Sequence, residues 1–426
     1  MNPSKKITNQ STYSKYYPWI VITFCALFLF YKYVLQVSPS VITTELMRRF
    51  HLDGAGLGSL AATFFYTYSV VQLFVGPMMD RLGARFLTAC AIMLCALGTV
   101  WFSQATTLFQ AILARSLVGV GAAFATVSYL KIAAIWFKPK QFAFVSGLLA
   151  SAAMVGSMCG QLPFALMVVH FGWRSSLFYC GLFGVLLALL FYIVVRDRNQ
   201  ETSSTVLEKH NLNFKDIMTV LKFKPNWYLM LYSGLAFSPL AVFAGLWGDS
   251  FLQIAYHITK PDAAMLTSMS FLGLAVGAPL LGIAADRLLN RFTVMILGVI
   301  LSLIALCVAI YSPYASHVVE GTALFLFGFG TGGFMLVFSV GKDINALAMT
   351  ATVVAFVNTG DALIGTFTEP LLGKMLDIFG HGKMLQGVRY FSVHDYHLAL
   401  LLLPIYLVAA IGCLLAVRKV ISFSDR

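Results

Sequence analysis

Apolar runs of 18 or more residues, broken by short polar stretches, recur from one end of the chain to the other. Each is long enough to span a hydrocarbon layer of about 30 Å as a helix. The pattern predicts twelve membrane spans, at about 18–41, 57–79, 86–105, 107–136, 141–168, 175–195, 226–251, 263–284, 292–312, 318–340, 350–372 and 396–418. The alternation of apolar and polar residues expected of a membrane β-barrel is absent. The fold class is therefore an all-α membrane protein, with the spans arranged in two six-helix bundles. The first apolar stretch begins near Tyr17, runs past 20 residues and shows no small-residue cleavage site, so it is expected to be a span and not a cleavable signal.

Two of the polar breaks resemble each other. Gly76, Asp80, Arg81, Gly83 and Arg85 close the second span, and Gly282, Asp286, Arg287 and Arg291 close the eighth, 206 residues later. Each reads as a tight charged hairpin between two helices. Glycine permits close helix approach, Asp suits a helix N-terminus, and Arg sits where the bilayer ends. Recurrence at about half the chain length implies two equivalent halves. The single long hydrophilic segment, 196–224, divides the spans six and six. This gives an N-terminal bundle over 1–195, a cytoplasmic linker over 196–224 and a C-terminal bundle over 225–426.

Composition agrees with the pattern. Of 426 residues, 59% are hydrophobic and only 11% charged. The net charge of +12 reports topology and not nucleic-acid binding. With the N-terminus inside, 19 of the 29 Lys and Arg residues fall on the cytoplasmic side and 7 opposite, while Lys32, Arg115 and Lys131 lie within spans. That bias places both termini in the cytoplasm. The seven cysteines lie in apolar runs without metal-type spacing and read as small buried hydrophobes. The histidines of the segment 374–395 and just beyond (His381, His394, His397) are too irregularly spaced to make a metal motif. Neither a nucleotide-binding loop nor a catalytic triad is present, so no cofactor is expected, and the driving force would be a proton gradient.

The hairpins resemble, in spacing and composition, the signature loop of the major facilitator superfamily of secondary transporters. They depart from it at Ala84, where a basic residue is usual, and at Leu289, where Gly is usual. Arg115, followed by Gly119 and Gly121, resembles the family's second signature, which the family associates with proton coupling. The stretch from Phe30 through Tyr31, Lys32, Tyr33, Gln36 and Pro39 to Ser40 resembles the first span of the phagosomal-transporter group of intracellular bacterial pathogens. That group is implied to import amino acids, and in some members nucleosides, across the bacterial inner membrane. A basic residue in the first span is also similar to the organic-anion-transporting branch.

Ionisable residues within spans are costly and point to function. Lys32 lies about 20 Å into the first span at the helical rise and either offers its ammonium to a substrate carboxylate or forms a structural ion pair. Asp361 can hold a substrate amino group, carry the coupling proton, pair with Lys32 or serve helix packing. Arg115 is a candidate for proton coupling or a buried structural cation. Tyr31, Tyr33, Gln36, Tyr68, Gln161 and Asn358 are candidate substrate contacts, with Tyr66, Gln72, Trp247 and Asp249 as further polar groups near the cavity. Gly328, Gly330, Gly332 and Gly333 read as helix packing or a helix break. The hairpin residues Gly76, Asp80, Arg81, Gly83, Arg85, Gly282, Asp286, Arg287 and Arg291 would form the gate on the cytoplasmic side. The expected function is proton-coupled import of an amino acid or short peptide by a monomer that binds no nucleic acid. The rival readings are an exporter of organic anions, drugs or siderophores, a nucleoside importer, a membrane enzyme, and a receptor that senses without transporting.

Overall fold

A computed structural model describes residues 16–137, 139–196, 214–287, 290–312, 316–346, 349–385 and 388–424. Most of the expected linker, 197–213, lies outside them, as does Leu289. The described chain is helical except for one two-residue hairpin, Met384–Leu385 against Val388–Arg389.

Nine helical stretches among the described residues are long and apolar enough to cross a membrane. One of them, Leu148–Val194, runs 47 residues and makes two crossings. It turns at Gly172, whose φ of +76° lies in the left-handed region that favours glycine. Gly54–Leu82 and Thr350–Phe379, of 29 and 30 residues, have the same length but carry more polar side chains. They complete the twelve expected crossings, numbered here in chain order. Crossing 1 is Tyr17–Val37, 2 is Gly54–Leu82, 3 is Ala84–Gln104, and 4 is Leu108–Ala122 with Phe124–Trp136. Crossing 5 is Pro139–Cys159 continued from Leu162 to the Gly172 turn, and 6 runs from there to Val194. Crossing 7 is Lys224–Val242 with Gly248–Tyr256, 8 is Lys260–Arg287, 9 is Arg291–Tyr311, and 10 is His317–Thr331 with Leu336–Asp343. Crossing 11 is Thr350–Phe379, and 12 is Val393–Leu400 with Leu402–Ser424.

Helix starts follow local chemistry. Asp53 accepts a hydrogen bond from the Gly56 N–H at the start of crossing 2, and Asn290 accepts one from Thr293 at crossing 9. Ser392 and Asp395 cap crossing 12 reciprocally. Crossings 1, 4, 7 and 10 are each interrupted. Crossing 1 ends in a 3₁₀ turn at Ser38–Ile42, crossing 7 contains a π turn at Phe243–Trp247, and crossing 10 contains a 3₁₀ turn at Gly332–Met335. Crossing 4 breaks at Ala123, crossing 5 at Gly160 and Gln161, and crossing 12 at Leu401. Such breaks free backbone groups from the helical ladder, which a membrane tolerates only inside a bundle.

Crossings 1–6 pack among themselves, with 1 on 5, 2 on 4 and 3 on 4 and 6. Crossings 7–12 do the same, with 7 on 11 and 12, 8 on 10, and 9 on 10 and 12. The two sets meet where 2 packs on 11 and 5 on 8. Small residues allow the closest approaches. A Cβ on Gly328 would lie 1.8 Å from the Ser270 carbonyl oxygen, and one on Gly119 2.4 Å from that of Phe64. The glycines of crossing 10 thus serve both expected roles, helix contact and helix break. Crossing 6 turns Tyr179, Leu182, Leu186, Leu189 and Ile193 outward, and crossing 9 does so with Leu297 and Ile304. These apolar faces suit lipid, not water.

Candidate functional site

Among the described residues, side-chain bonds join the two sets of crossings at one end. There Ser40, in the turn after crossing 1, donates to Asp249 of crossing 7 at 2.9 Å and approaches the Gln161 amide oxygen at 3.2 Å. Thr267 of crossing 8 also donates to Asp249, which is fully buried. Gln161 donates to the Ala244 carbonyl at 2.5 Å, in the π turn of crossing 7. Thr43 and Ser250 share a hydrogen bond of 2.6 Å, and Lys260 pairs with Glu45. Asp377, at the end of crossing 11, accepts from the Gly54 and Ala55 N–H groups at 2.8 Å each. A carboxylate at that helix N-terminus is doubly suited, by charge and by free donors. Replacing Asp377 by Ala should loosen this end. In a background without the native cysteines, a cysteine at Ser157 should react with an impermeant maleimide from that side several-fold faster; an unchanged rate would show that the cap does not hold it.

At the opposite end, which carries the two charged hairpins, the side-chain bonds seen among the described residues stay within one half. Arg85 donates to the Tyr192 carbonyl within its own half, through Nη2 at 2.6 Å. Arg291 pairs with Asp343 and lies 3.8 Å from Asp286, again within one half. Arg81 and Arg287 are exposed, and Gly83 turns the chain with φ of 85°. The Asp80 side chain lies outside the described residues. Around Gly76 and Gly282 no neighbouring element comes within 4 Å of where a Cβ would stand.

Between the two ends lies a cavity bordered by Tyr33 and Gln36 of crossing 1, Ser157 of crossing 5, Gly245 of crossing 7, Phe271 of crossing 8 and Glu369 of crossing 11. Lys32 is 5% exposed, and no carboxylate among the described residues lies within ion-pairing distance of it. Its Nζ stands 3.6 Å from the centroid of the Tyr33 ring, 5.2 Å from that of Tyr68 and 6.0 Å from that of Phe64. Aromatic faces thus hold the ammonium where an acid could have stood. Asp361 accepts from Ser233 at 2.5 Å, and its charge reaches the hydroxyls of Tyr33, Tyr68 and Tyr232. The cation of crossing 1 and the acid of crossing 11 therefore face one tyrosine pair from opposite halves. Asn358, three residues before Asp361 on the same helix, is exposed.

Two expected contacts, Tyr31 and Gln161, and the proton-coupling candidate Arg115 sit elsewhere. Tyr31 is 1% exposed, pointing at Gly184 and the Phe183 ring of crossing 6, because neighbouring residues on a helix diverge by about 100°. Gln161 belongs to the closed end. Arg115 donates to the carbonyls of Leu35 and Gln36, at 2.7 and 3.0 Å, and lies 5.0 Å from the Phe64 ring. It satisfies backbone groups where crossing 1 unwinds. Trp247 and Asp249 are likewise buried near the closed end, and Tyr66 is exposed. Gln72 is half-buried, and its amide oxygen has no hydrogen-bond partner among the described residues.

The sequence reading missed Glu369. It is 3% exposed, borders the cavity, and its Oε2 has no hydrogen-bond partner among the described residues. Its signal was a carboxylate before Pro370 in an otherwise apolar run.

The family profile described as Major Facilitator Superfamily matches residues 19–363. The chain belongs to the major facilitator superfamily. As a member it is a multi-pass secondary transporter and not an enzyme. It is 24% identical over 395 residues to the "Probable L-galactonate transporter" of Escherichia coli, covering 87% of this chain and 83% of that protein. It is 21% identical to the "Probable sulfoacetate transporter SauU" of Cupriavidus necator, covering 85% of this chain and 88% of that one. Among solved structures, a bacterial homolog to the human lysosomal transporter Spinster superposes with a TM-score of 0.80 at 16% identity, over 96% of this chain and 98% of that chain. That likeness shows the fold.

Proposed function

We propose that this major facilitator imports a small organic carboxylate across the bacterial inner membrane, driven by the proton gradient, with an amino acid or short peptide as substrate. The observation that carries the reading is Lys32: a buried ammonium at the membrane interior, held by ring faces and, among the described residues, by no acid. Burying an unpaired charge is expensive, and a substrate carboxylate would relieve that cost. The two transporters named above carry galactonate and sulfoacetate in their names, both carboxylates, which supports the same chemistry here.

Asp361 is assigned the coupling proton. It stands in the opposite half within electrostatic range of the tyrosines that cradle Lys32, so its charge state and the substrate's are felt at one place. The basic bias of the hairpin side makes that side cytoplasmic, and the conformation described above is then inward-facing. Alternating access follows by rocking the two halves about the central site, opening the network around Asp249 while the hairpins close.

The test is uptake by purified protein in liposomes under an imposed inward proton gradient. The panel would be labelled amino acids, dipeptides, sugar acids and nucleosides. Accumulation of a carboxylate that a protonophore collapses is the expected result. Gradient-driven efflux of larger organic molecules, or accumulation of nucleosides alone, would overturn the reading. In the same assay Asp361→Asn should abolish gradient-driven accumulation while leaving substrate exchange in place. Persistent pH-driven accumulation in that variant would move the proton elsewhere.

A further inference from the structure

Glu369 and Gln36 face the same cavity from opposite halves, and each presents a buried oxygen with no hydrogen-bond partner among the described residues. Glu369 Oε2 belongs to crossing 11 and the Gln36 amide oxygen to crossing 1. Two acceptors without donors are costly to bury unless something supplies N–H or O–H groups to both. Tyr33, between Lys32 and Gln36 in sequence, borders the same cavity and carries the Lys32 ammonium on its ring. Lys32 and Gln36 are four residues apart, about one helical turn. The cavity wall thus carries both the ring that holds the Lys32 ammonium and the two acceptors.

Charge points to the kind of donor. The charged group within reach of Glu369 is Arg115, with the Tyr66 hydroxyl also nearby. Arg115 gives Nη1 and Nη2 to the Leu35 and Gln36 carbonyls, its Nε has no hydrogen-bond partner among the described residues, and no ion pair joins it to Glu369. Its bond to the Gln36 carbonyl ties the backbone of one acceptor to the guanidinium that faces the other. A neutral hydroxyl would satisfy the geometry but leave the carboxylate charge only distantly balanced. A primary ammonium would satisfy both acceptors and the charge.

We propose that Glu369 and Gln36 form a subsite for the ammonium group of a zwitterionic substrate whose carboxylate is bound by Lys32. The inference rests on the carboxylate reading above and adds where the amino group of such a substrate is held. Glu369 borders the cavity and Lys32 lies on the ring of Tyr33, which borders it too, so one ionisable group of each sign serves it. A zwitterion enters without upsetting that balance, whereas a simple anion does not.

The experiment is thermal stabilisation of the purified full-length protein in detergent at neutral pH. The probes are the proteinogenic L-amino acids, their N-acetyl derivatives, and the 2-hydroxy acids with the same side chains. At least one amino acid should stabilise at a concentration about ten-fold lower than its N-acetyl and hydroxy counterparts, a preference of about 1.4 kcal/mol. Glu369→Gln should erase that preference, Gln36→Leu should reduce it, and Glu369→Asp should restore part of it. Should Glu369→Gln fail to fold, as its unliganded melting would reveal, the other two variants carry the test. A wild-type protein that binds the hydroxy or N-acetyl acids as well as the amino acids would overturn the ammonium subsite. The carboxylate reading would survive that outcome if Lys32→Ala lost their binding. A preference retained in Glu369→Gln would overturn the subsite too, and if that variant lost only its pH dependence, Glu369 would be a proton carrier. Stabilisation by none of the three classes would overturn the subsite, while the carboxylate reading would stand or fall on the dipeptides and sugar acids of the liposome panel.

Discussion

Replacing Lys32 by alanine is expected to cut carboxylate uptake at least 100-fold, about 2.7 kcal/mol of binding, while leaving the protein folded. The two halves of that expectation have different origins. Loss of uptake follows if the ammonium is the group that meets the substrate. Retained stability follows from the absence of an acid beside it. A buried ion pair that loses one partner leaves an unpaired charge and costs about 3–5 kcal/mol. Removing a buried charge that has no such partner leaves none behind. Melting of the unliganded variant therefore separates a ligand-binding lysine from a structural one. An unchanged or raised melting temperature with lost uptake supports the site. A large drop would reveal a structural pair formed in another conformation, and full uptake would remove Lys32 from the site. Lys32→Arg should keep part of the activity, since it preserves the charge but changes its shape and reach.

The second large effect is expected at Gly58. A Cβ there would stand 2.4 Å from the Glu369 carbonyl oxygen and 2.8 Å from the Pro370 Cα, all backbone that cannot step aside. Gly58→Leu should therefore prevent crossings 2 and 11 from meeting at the closed end. Transport should fall about 100-fold or more, because a carrier that cannot close on one side cannot cycle. The cysteine probe at Ser157 should at the same time become readily labelled from that side. Loss of transport without a gain in labelling would mean misfolding, and normal transport would mean that the contact is dispensable. Gly76 has open space around it in this conformation, so a side chain there would leave the closed end intact.

Much of the architecture was legible because membrane spans announce themselves as apolar length. The expected spans 57–79 and 350–372 correspond to helices of 29 and 30 residues, long enough to cross although more polar than the other nine. The breaks were not legible. Phe243–Trp247 adopts a π turn inside an apolar stretch with no polar residue to mark it, because packing within the bundle and not local propensity selects it. Side-chain direction was legible only in part. Tyr31, Lys32 and Tyr33 cannot all face one cavity, and the structure turns Tyr31 to crossing 6 while Tyr33 borders the cavity. Gln161 could be recognised as polar and buried, yet only the packing of the halves shows that it meets Ala244 and not the cavity. Glu369 carried the plainest signal, an acid in a span, and was obscured by its place near the expected end of that span.

The seating of Lys32 on the rings of Tyr33 and Tyr68 bears on how quickly a load is let go. A cation on a desolvated ring face is stabilised by about 2 kcal/mol, less than a charge-assisted bond to a well-placed carboxylate but far from nothing. The arriving anion must displace that contact, and the departing anion leaves the ammonium with somewhere to return. The rings thereby lower the affinity of the loaded state and shorten its lifetime. Turnover of a carrier depends on dissociation as much as capture, and here the resting place of one amine speeds the exit.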